Sequence, residues 1–201
     1  MHRLSDGALQ VDRAHYAPSS PYEDRPQSIG YRATISAPHM HAQACESLLP
    51  FLKPGAKVLD VGSGSGYLTH VLAELVKGPG GAVVGIDHIT ELVEMAKENA
   101  SKSEEGRAFF RTGGISFVKG DGRQGYAESA PYDAIHVGAA AAKHHEAFVD
   151  QLKAPGRIFV PVEEEGEQHI YVIDKTADGE VVRQKQYRVR YVPLTGNNVD
   201  K

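Results

Sequence analysis

The stretch of sequence that decides the fold reads Val58-Leu59-Asp60-Val61-Gly62-Ser63-Gly64-Ser65-Gly66-Tyr67-Leu68. Apolar and β-branched residues come first, three alternating glycines follow, and apolar residues at helical spacing come next. This order predicts a buried strand, a tight turn and the N-terminus of a helix, at which backbone N–H groups face a ligand. Because glycine lets the backbone turn sharply and lets a ligand approach it closely, we expect a binding site at the end of this strand.

Two acidic residues narrow the choice of ligand. Asp60 stands just before the turn, where a carboxylate would repel a pyrophosphate but attract a cation. Asp87 ends the next predicted strand, about 20 residues after the glycines, where an acidic residue usually binds a ribose. S-adenosylmethionine carries an ammonium, a sulfonium and a ribose, and it therefore fits both positions. Asp60 could instead cap the turn and Asp87 the following helix, but the two acids at this spacing favour the cofactor.

Other ligands and chemistries fit less well. Tyr67 occupies the position at which a dinucleotide-binding motif has glycine or alanine, and the chain has no G-K-[ST] phosphate loop. The sequence also lacks the G-x-S-x-G motif of serine hydrolases and the H-E-x-x-H motif of zinc proteases. Its histidines do not have the spacing of metal ligands, so we expect no metal site.

Strands and helices alternate along most of the chain. Strands are predicted at residues 58–61, 82–87, 115–119, 132–138 and 157–162, and helices at 68–76, at 90–102 and up to about 152. This alternation predicts an α/β fold with a doubly wound, mostly parallel sheet. A hairpin signal, Ala177-Asp178-Gly179, joins two later strands, so the sheet is expected to end in antiparallel strands. Residues 163–167 are predicted to form a solvated loop.

The composition limits the classes of protein to which this chain can belong. The 201 residues carry a formal net charge of −4, and no long basic run indicates a nucleic-acid partner. Cys45 is the single cysteine and cannot form an internal disulfide, which favours a reducing compartment. No apolar run has membrane-spanning length, and the N-terminus lacks the apolar region of a secretory signal. We therefore expect one cytoplasmic domain over residues 1–201, without a membrane partner.

The region before the first strand has two parts. Residues 1–31 are polar and contain Pro18, Pro21 and Pro26, which predicts an extended segment packed on the domain. A helix is then expected to run to about Phe51, with Pro38 in its first turn and Ser36 as its N-cap. On the local pattern alone, Ser36 would be a cap and nothing more.

Several further motifs accompany the glycine turn. They are A-T-I-S-A-P-H-M-H at residues 33–41, V-G-I-D-H-I at 84–89, G-D-G-R at 120–123, A-P-Y-D-A-I-H-V-G-A-A-A at 130–141 and Y-V-P-L-T at 191–195. Together they closely resemble the protein-L-isoaspartate (D-aspartate) O-methyltransferase family, over about residues 15–195. The first block is highly specific to that family, whereas many methyltransferases share the glycine turn.

The resemblance implies a fold and an activity. The fold is that of a class I, Rossmann-like methyltransferase that depends on S-adenosylmethionine and releases S-adenosylhomocysteine. The activity is methylation of the free α-carboxylate of L-isoaspartyl residues in aged proteins and peptides, which begins their repair. Whether D-aspartyl residues are also substrates is left open. The resemblance also implies isoaspartyl-containing proteins and peptides as partners. We further expect a monomer without a nucleic-acid partner.

Residue by residue, the resemblance assigns one catalytic position and a cofactor site. Ser36 matches the active-site serine, which would orient a carboxylate that is already ionised and needs no general base. From its position alone, Asp121 could accept a hydrogen bond from the exocyclic amine of adenine, and Gly122 would leave room for the ring. Asp121 could instead be a turn aspartate. The expected cofactor site comprises Thr34, Ile35, Ser36, His41, Asp60, Gly62, Gly64, Ser65, Asp87, Asp121, Gly122 and Thr195.

The chain departs from the family pattern at both ends. The leading helices of the family are largely absent ahead of Val11, which puts a lid over the substrate cleft in doubt, and the tail after Thr195 is short. Two alternatives stay open: a class I methyltransferase with a small-molecule or RNA substrate, and a non-catalytic protein that binds damaged chains. A nicotinamide dehydrogenase is disfavoured by Asp60 and Tyr67.

Overall fold

A computed structural model describes residues 11–144 and 146–195. The first ten residues of the predicted extended segment and the tail after Thr195 lie outside the described residues. In chain order the described elements are β1 Gln27–Gly30, β2 Ala33–Ile35, α1 Pro38–Leu48, β3 Lys57–Val61, α2 Tyr67–Val76, β4 Ala82–Asp87, α3 Thr90–Ala100, α4 Glu104–Thr112, β5 Ile115–Lys119, β6 Tyr132–Val137, α5 Glu146–Asp150, β7 Leu152–Glu164, β8 Glu167–Lys175 and β9 Val181–Val189. Short 3₁₀ turns, such as Arg13–His15, connect some of them.

Strands β3 to β9 form one sheet in the order β5-β4-β3-β6-β7-β8-β9. Strands β5, β4, β3, β6 and β7 run parallel to one another. Strands β8 and β9 follow at the end of the sheet as antiparallel neighbours. The predicted α/β fold, with its mostly parallel sheet and antiparallel end, is therefore confirmed. Strands β1 and β2 form a separate antiparallel hairpin near the start of the chain.

Strand β3 occupies the centre because it is apolar on both faces. Its Val58 packs in a core with the helices α1 to α4, while Leu59 and Val61 pack in a second core on the opposite face. A parallel strand covered on both sides reads as a continuous apolar run, as this one does. The buried strand and its two cores fix the position of the glycine turn that follows it.

The chain reverses its direction of travel across the sheet at β3. It moves outward through β4 to β5 and then returns to the other side of β3 as β6. In an open α/β sheet, a crevice forms at such a switch point, outside the carboxyl ends of the strands. The residues that follow β3, β4 and β6 therefore lie around one crevice.

Two local predictions were wrong. Residues 163–167 do not form a loop, because β7 and β8 continue into a tight turn at Glu165 and Gly166, both with positive φ. The helix predicted to end near residue 152 does not extend back to the alanine run after β6, where Ala140 and Ala141 make isolated bridges to Pro193 and Val162. The predicted helix there is reduced to the short α5.

The sequence reading also missed α4. The Ser103 side chain accepts a hydrogen bond from the Gly106 N–H at its start, and Gly113 ends it with a φ of 74°. Both are ordinary helix-boundary signals and could have located the helix. Within the described residues, no helix is both long and apolar enough to cross a membrane.

Candidate active site

The glycine turn after β3 is built from backbone conformations that glycine adopts readily. Gly62, Gly64 and Gly66 have φ values of 75°, 50° and 85°. The Gly62 and Ser63 N–H groups donate to the carbonyl of Ile86 in the next strand, which holds the turn against the sheet. The turn therefore exposes backbone at the carboxyl edge of the sheet and leads directly into α2.

A cavity of about 340 Å³ lies beside this turn. Its walls come from the carboxyl ends of β3, β4 and β6, from the tip of the β1–β2 hairpin and from residues 192–195. Six of the residues predicted for the cofactor site line it, namely Thr34, Gly62, Gly64, Asp87, Gly122 and Thr195. A side chain at position 122 would collide with Val61, since an added Cβ would lie 2.7 Å from its Cγ1.

A smaller pocket of about 30 Å³ adjoins the cavity and shares Thr34, Gly62 and Gly64 with it. The other predicted residues that line this pocket are Ile35, Ser36, His41, Asp60 and Ser65. Ser63 lines it as well, and its buried hydroxyl has no hydrogen-bond partner among the described residues. An unpaired buried hydroxyl facing a pocket fits a ligand that hydrogen-bonds there, and Ser63 was not singled out in the sequence.

Asp87 links the glycine turn to the next helix. One carboxylate oxygen accepts from the Gly64 N–H at 3.1 Å, and the other accepts from the Ile89 N–H at 3.1 Å. The residue is buried, and burial raises the pKa of its carboxyl above the ordinary value although the two N–H groups oppose this. Asp87 therefore does not cap α3, whose N-cap is Ile89 without a side-chain cap, and its carboxylate instead joins the glycine turn to the residue before the helix at the wall of the cavity.

Asp60 faces the smaller pocket with both oxygens already engaged. The Thr69 hydroxyl donates to one oxygen at 2.6 Å, and His136 Nδ1 donates to the other at 2.7 Å. His136 lines the same pocket and stacks on Phe159. The sequence predicted the acid but assigned no site role to this histidine, which lies in the 130–141 motif and is separated from Asp60 by 76 residues of chain.

Asp121 is the one predicted cofactor residue that lines neither pocket. Its carboxylate accepts from the Arg123 guanidinium at 2.6–3.2 Å and caps the following 3₁₀ turn. Hydrogen bonds from Arg123 lower the pKa of Asp121 below its usual value. In the structure its carboxylate is therefore placed as the turn aspartate of the alternative reading, and its neighbour Gly122 lines the cavity.

Ser36 is not the N-cap of α1, contrary to the local pattern. The cap position is Ala37, with Pro38 as the first helical residue. Among the described residues the Ser36 hydroxyl has no hydrogen-bond partner, and its side chain lines both the smaller pocket and a surface groove. This groove, of about 720 Å³, runs between the start of α1 and residues 187–193. Ser36 therefore lies where the groove meets the inner pockets.

His41 stands beside Ser36 and is held by Arg13. Because a guanidinium has no acceptor, the Arg13 N–H at 3.1 Å must donate to His41 Nδ1, which leaves the histidine proton on Nε2. Burial, together with the charge of Arg13, holds the pKa of His41 well below its ordinary value. His41 is therefore neutral at physiological pH.

The C-terminal segment closes the far side of the cavity. Ala140 pairs with this segment through two backbone hydrogen bonds, from its N–H to Val192 and from Leu194 to its carbonyl. Thr195 lies 3.3 Å from the ring of His88, which follows Asp87. The alanine run after β6 thus serves as the docking edge of this segment.

The doubly wound sheet and the glycine turn with its acidic neighbours define the class: a Rossmann-like methyltransferase that depends on S-adenosylmethionine. The sequence model of the protein-L-isoaspartate(D-aspartate) O-methyltransferase family matches residues 2–199. The chain belongs to this family. It methylates isoaspartyl residues of proteins with S-adenosylmethionine as the donor, an activity of protein repair.

Similar proteins agree with this assignment. A protein-L-isoaspartate O-methyltransferase of Caenorhabditis elegans is 50% identical over 194 residues, which cover 96% of this chain and 84% of the relative. Protein-L-isoaspartate O-methyltransferase 1 of Arabidopsis thaliana is 49% identical, with 97% and 81% covered. A structure described as a protein-L-isoaspartate O-methyltransferase from Plasmodium falciparum in complex with S-adenosyl-L-homocysteine superposes with a TM-score of 0.90. It is 33% identical, with 98% of this chain and 92% of that chain covered.

Proposed function

We propose that Ser36 is the catalytic residue, and that its hydroxyl orients the α-carboxylate of the isoaspartyl residue. The observation that carries this proposal is the position of Ser36 at the junction of the groove and the smaller pocket. A peptide lying in the groove can extend a side group toward the smaller pocket past Thr34 and Ser36, which line both. The hydroxyl, which does not cap α1, is free to donate to a carboxylate oxygen there.

The reaction needs no general base in this proposal. A carboxylate with a reference pKa of about 3–4 is ionised at neutral pH and is itself the nucleophile. S-adenosylmethionine, when bound, supplies an electrophilic methyl group on a sulfonium. The protein has to hold the carboxylate in line and keep water out, which is worth several kcal/mol. Neutral His41 fits this scheme, since it lines the pocket without removing a proton.

We also assign the cofactor contacts. Asp87, buried at the cavity wall, accepts from the ribose hydroxyls, and the glycine turn with Ser65 surrounds the methionyl part. Gly122 admits the adenine ring, and Asp121 exchanges part of its contact with Arg123 for the exocyclic amine. Thr34, Ile35, His41 and Thr195 complete the walls. The negative charge of Asp60, paired with His136, lies beside the pocket where the donor cations would bind.

Three broader assignments accompany the site. We propose that the chain forms one methyltransferase domain, supported by its continuous seven-stranded sheet. We propose a cytoplasmic monomer that acts on isoaspartyl proteins and peptides, with D-aspartyl residues as an additional substrate, and that does not bind nucleic acid. The net charge of −4 supports the last point. Light scattering during gel filtration measures the oligomeric state, and a dimer would contradict it.

The test of Ser36 is Ser36→Ala, assayed with an isoaspartyl peptide and its aspartyl twin. We expect kcat to fall while the affinity for S-adenosylhomocysteine is retained, because the hydroxyl acts on the substrate. Ser28→Ala, in the exposed part of β1, is the matched control and should keep full turnover. Loss of cofactor affinity with turnover retained would contradict the assignment.

A further inference from the structure

Arg13 is a buried cation in the N-terminal part of the chain. It begins the 3₁₀ turn Arg13–His15, and only 5% of its surface is exposed. Burying a guanidinium is expensive unless its donors are used. The contacts of Arg13 therefore indicate what the buried charge is for.

The donors of Arg13 reach the segment that carries the proposed catalytic serine. One terminal nitrogen donates to the Ser36 carbonyl at 2.7 Å, and the other donates to His41 Nδ1 at 3.1 Å. The guanidinium also lies 5.1 Å from the ring centroid of Tyr67, the first residue of α2. Ser36, His41 and Tyr67 all line the smaller pocket. Arg13 thus joins two walls of this pocket from behind.

The charge of Arg13 has no anionic partner close by. In the part of the chain that the structure describes, no carboxylate forms an ion pair with it, and its buried Nε atom has no hydrogen-bond partner. The negative charge of Asp24 acts on it at longer range, while the Asp24 carboxylate is hydrogen-bonded to His39. Burial lowers the pKa of Arg13, but a guanidinium stays charged at neutral pH. A positive charge that is not paired directly with a carboxylate therefore lies behind the pocket.

We propose that Arg13 is a positioning residue for methyl transfer: its guanidinium fixes the Ser36 backbone and the His41 ring, and its charge favours entry of the anionic substrate carboxylate. This inference rests on the proposed role of Ser36. The two terminal nitrogens of a planar guanidinium hold two acceptors at a fixed separation, which a lysine ammonium cannot reproduce. Positioning should therefore act on kcat, and the charge should act on KM.

The test compares Arg13→Met and Arg13→Lys. Arg13→Met loses both guanidinium hydrogen bonds and the positive charge. The value of kcat/KM for an isoaspartyl peptide should therefore fall about 100-fold, which is the effect of a small misplacement of reacting groups. Arg13→Lys keeps the charge, so it should restore KM more fully than kcat. Affinity for S-adenosylhomocysteine should stay close to that of the unsubstituted protein, because the glycine turn and Asp87 are untouched.

A matched control removes a similar arginine far from the pocket. Arg157 donates to the Ser47 carbonyl at 2.8 Å, pairs with Asp174 and lies 5.5 Å from the Phe51 ring centroid. Arg157→Met should lower the melting temperature but leave kcat/KM unchanged for the folded protein. Titration with S-adenosylhomocysteine gives the concentration of folded sites for every variant.

The outcomes separate the two proposals. Arg13 variants that lose stability but keep kcat and KM per folded site overturn the positioning role. Equal losses in Arg13→Met and Arg13→Lys, together with lost cofactor affinity, also overturn it, because they indicate a merely structural side chain. If Ser36→Ala lowers turnover while Arg13→Met does not, only the inference about Arg13 fails. Full turnover in Ser36→Ala removes the proposed function itself.

Discussion

Asp60, Asp87 and Asp121 lie at or just after the carboxyl ends of three neighbouring strands, yet their carboxylates have different environments. Asp60 is paired with His136, Asp87 accepts from two backbone N–H groups, and Asp121 is bound by Arg123. Of the three, only Asp87 lines the larger cavity. At the scale of single residues, the partner of each carboxylate decides what it can offer a ligand.

The environment of Asp87 predicts how cofactor affinity depends on pH. Ribose hydroxyls donate to the ionised carboxylate, so binding favours its deprotonated form. Since burial raises the pKa of Asp87, affinity for S-adenosylhomocysteine should fall on acidification at a higher pH than the value of about 3.9 of an ordinary aspartate. Asp87→Asn should bind more weakly by roughly 1.5–3 kcal/mol and lose this titration. Calorimetry across pH measures both effects.

Asp133 supplies the control for this experiment. Its carboxylate accepts from the Lys57 N–H and from Lys153, at the amino end of the strands and away from the cavity. Asp133→Asn should keep the affinity of the unsubstituted protein and its pH dependence. If the cofactor affinity of Asp87→Asn depends on pH in the same way as that of the unsubstituted protein, the assignment of Asp87 to the ribose is contradicted.

At the scale of elements, two serines at similar positions relative to helices differ in function. Ser103 caps α4 through the Gly106 N–H at 3.0 Å, whereas Ser36 precedes the actual cap of α1. Ser103→Ala should therefore lower the free energy of unfolding by about 1 kcal/mol. Ser36→Ala should leave it nearly unchanged, and equal destabilisation of both variants in urea unfolding would contradict this distinction.

The start of α2 gives a second prediction at this scale. Gly66 has a φ of 85°, and a Cβ there would lie 2.9 Å from both Ala96 and Phe117. Gly66→Ala combines left-handed strain with overpacking, which together are worth roughly 2–5 kcal/mol. It should also weaken cofactor binding, because relief of the contact moves the turn.

Gly166 is the matched position for this prediction. It has a similar φ of 79° in the β7–β8 turn, and an added Cβ would meet nothing within 4 Å. Gly166→Ala therefore carries the strain alone, about 1–2 kcal/mol, and should bind cofactor normally. Equal stability and equal affinity in the two variants would show that the packing behind Gly66 is unimportant.

At the scale of the whole molecule, one cavity joins elements that are far apart in the chain. The β1–β2 hairpin, the glycine turn and residues 192–195 all line it. A ligand held by all three should therefore stabilise the entire fold. S-adenosylhomocysteine at 100 times its Kd is expected to add about 2.7 kcal/mol, which raises the melting temperature by about 5–10 °C. Scanning calorimetry measures this shift, and an unchanged transition would contradict the proposed cavity.

Most of the fold could be predicted because its signals are local. The apolar run of β3, the alternating glycines and the spacing to Asp87 specify a parallel α/β sheet and one ligand site. The hairpin signal at residues 177–179 specifies its antiparallel end. The helix α4 was missed although Ser103 and Gly113 mark it, and the turn at Glu165 was taken for a loop because its charges are typical of one.

The sequence by itself determined the class of sheet, the glycine turn and the chemical types around the cofactor, because each depends on residues close together in the chain. Only the tertiary structure decided which groups meet: His136 with Asp60, Arg123 with Asp121, and Arg13 with Ser36 and His41. Such contacts depend on how helices and strands pack in three dimensions. The pairing of a buried charge across 23 residues of sequence leaves no periodic pattern, and for that reason the role of Arg13 could be inferred only from its geometry.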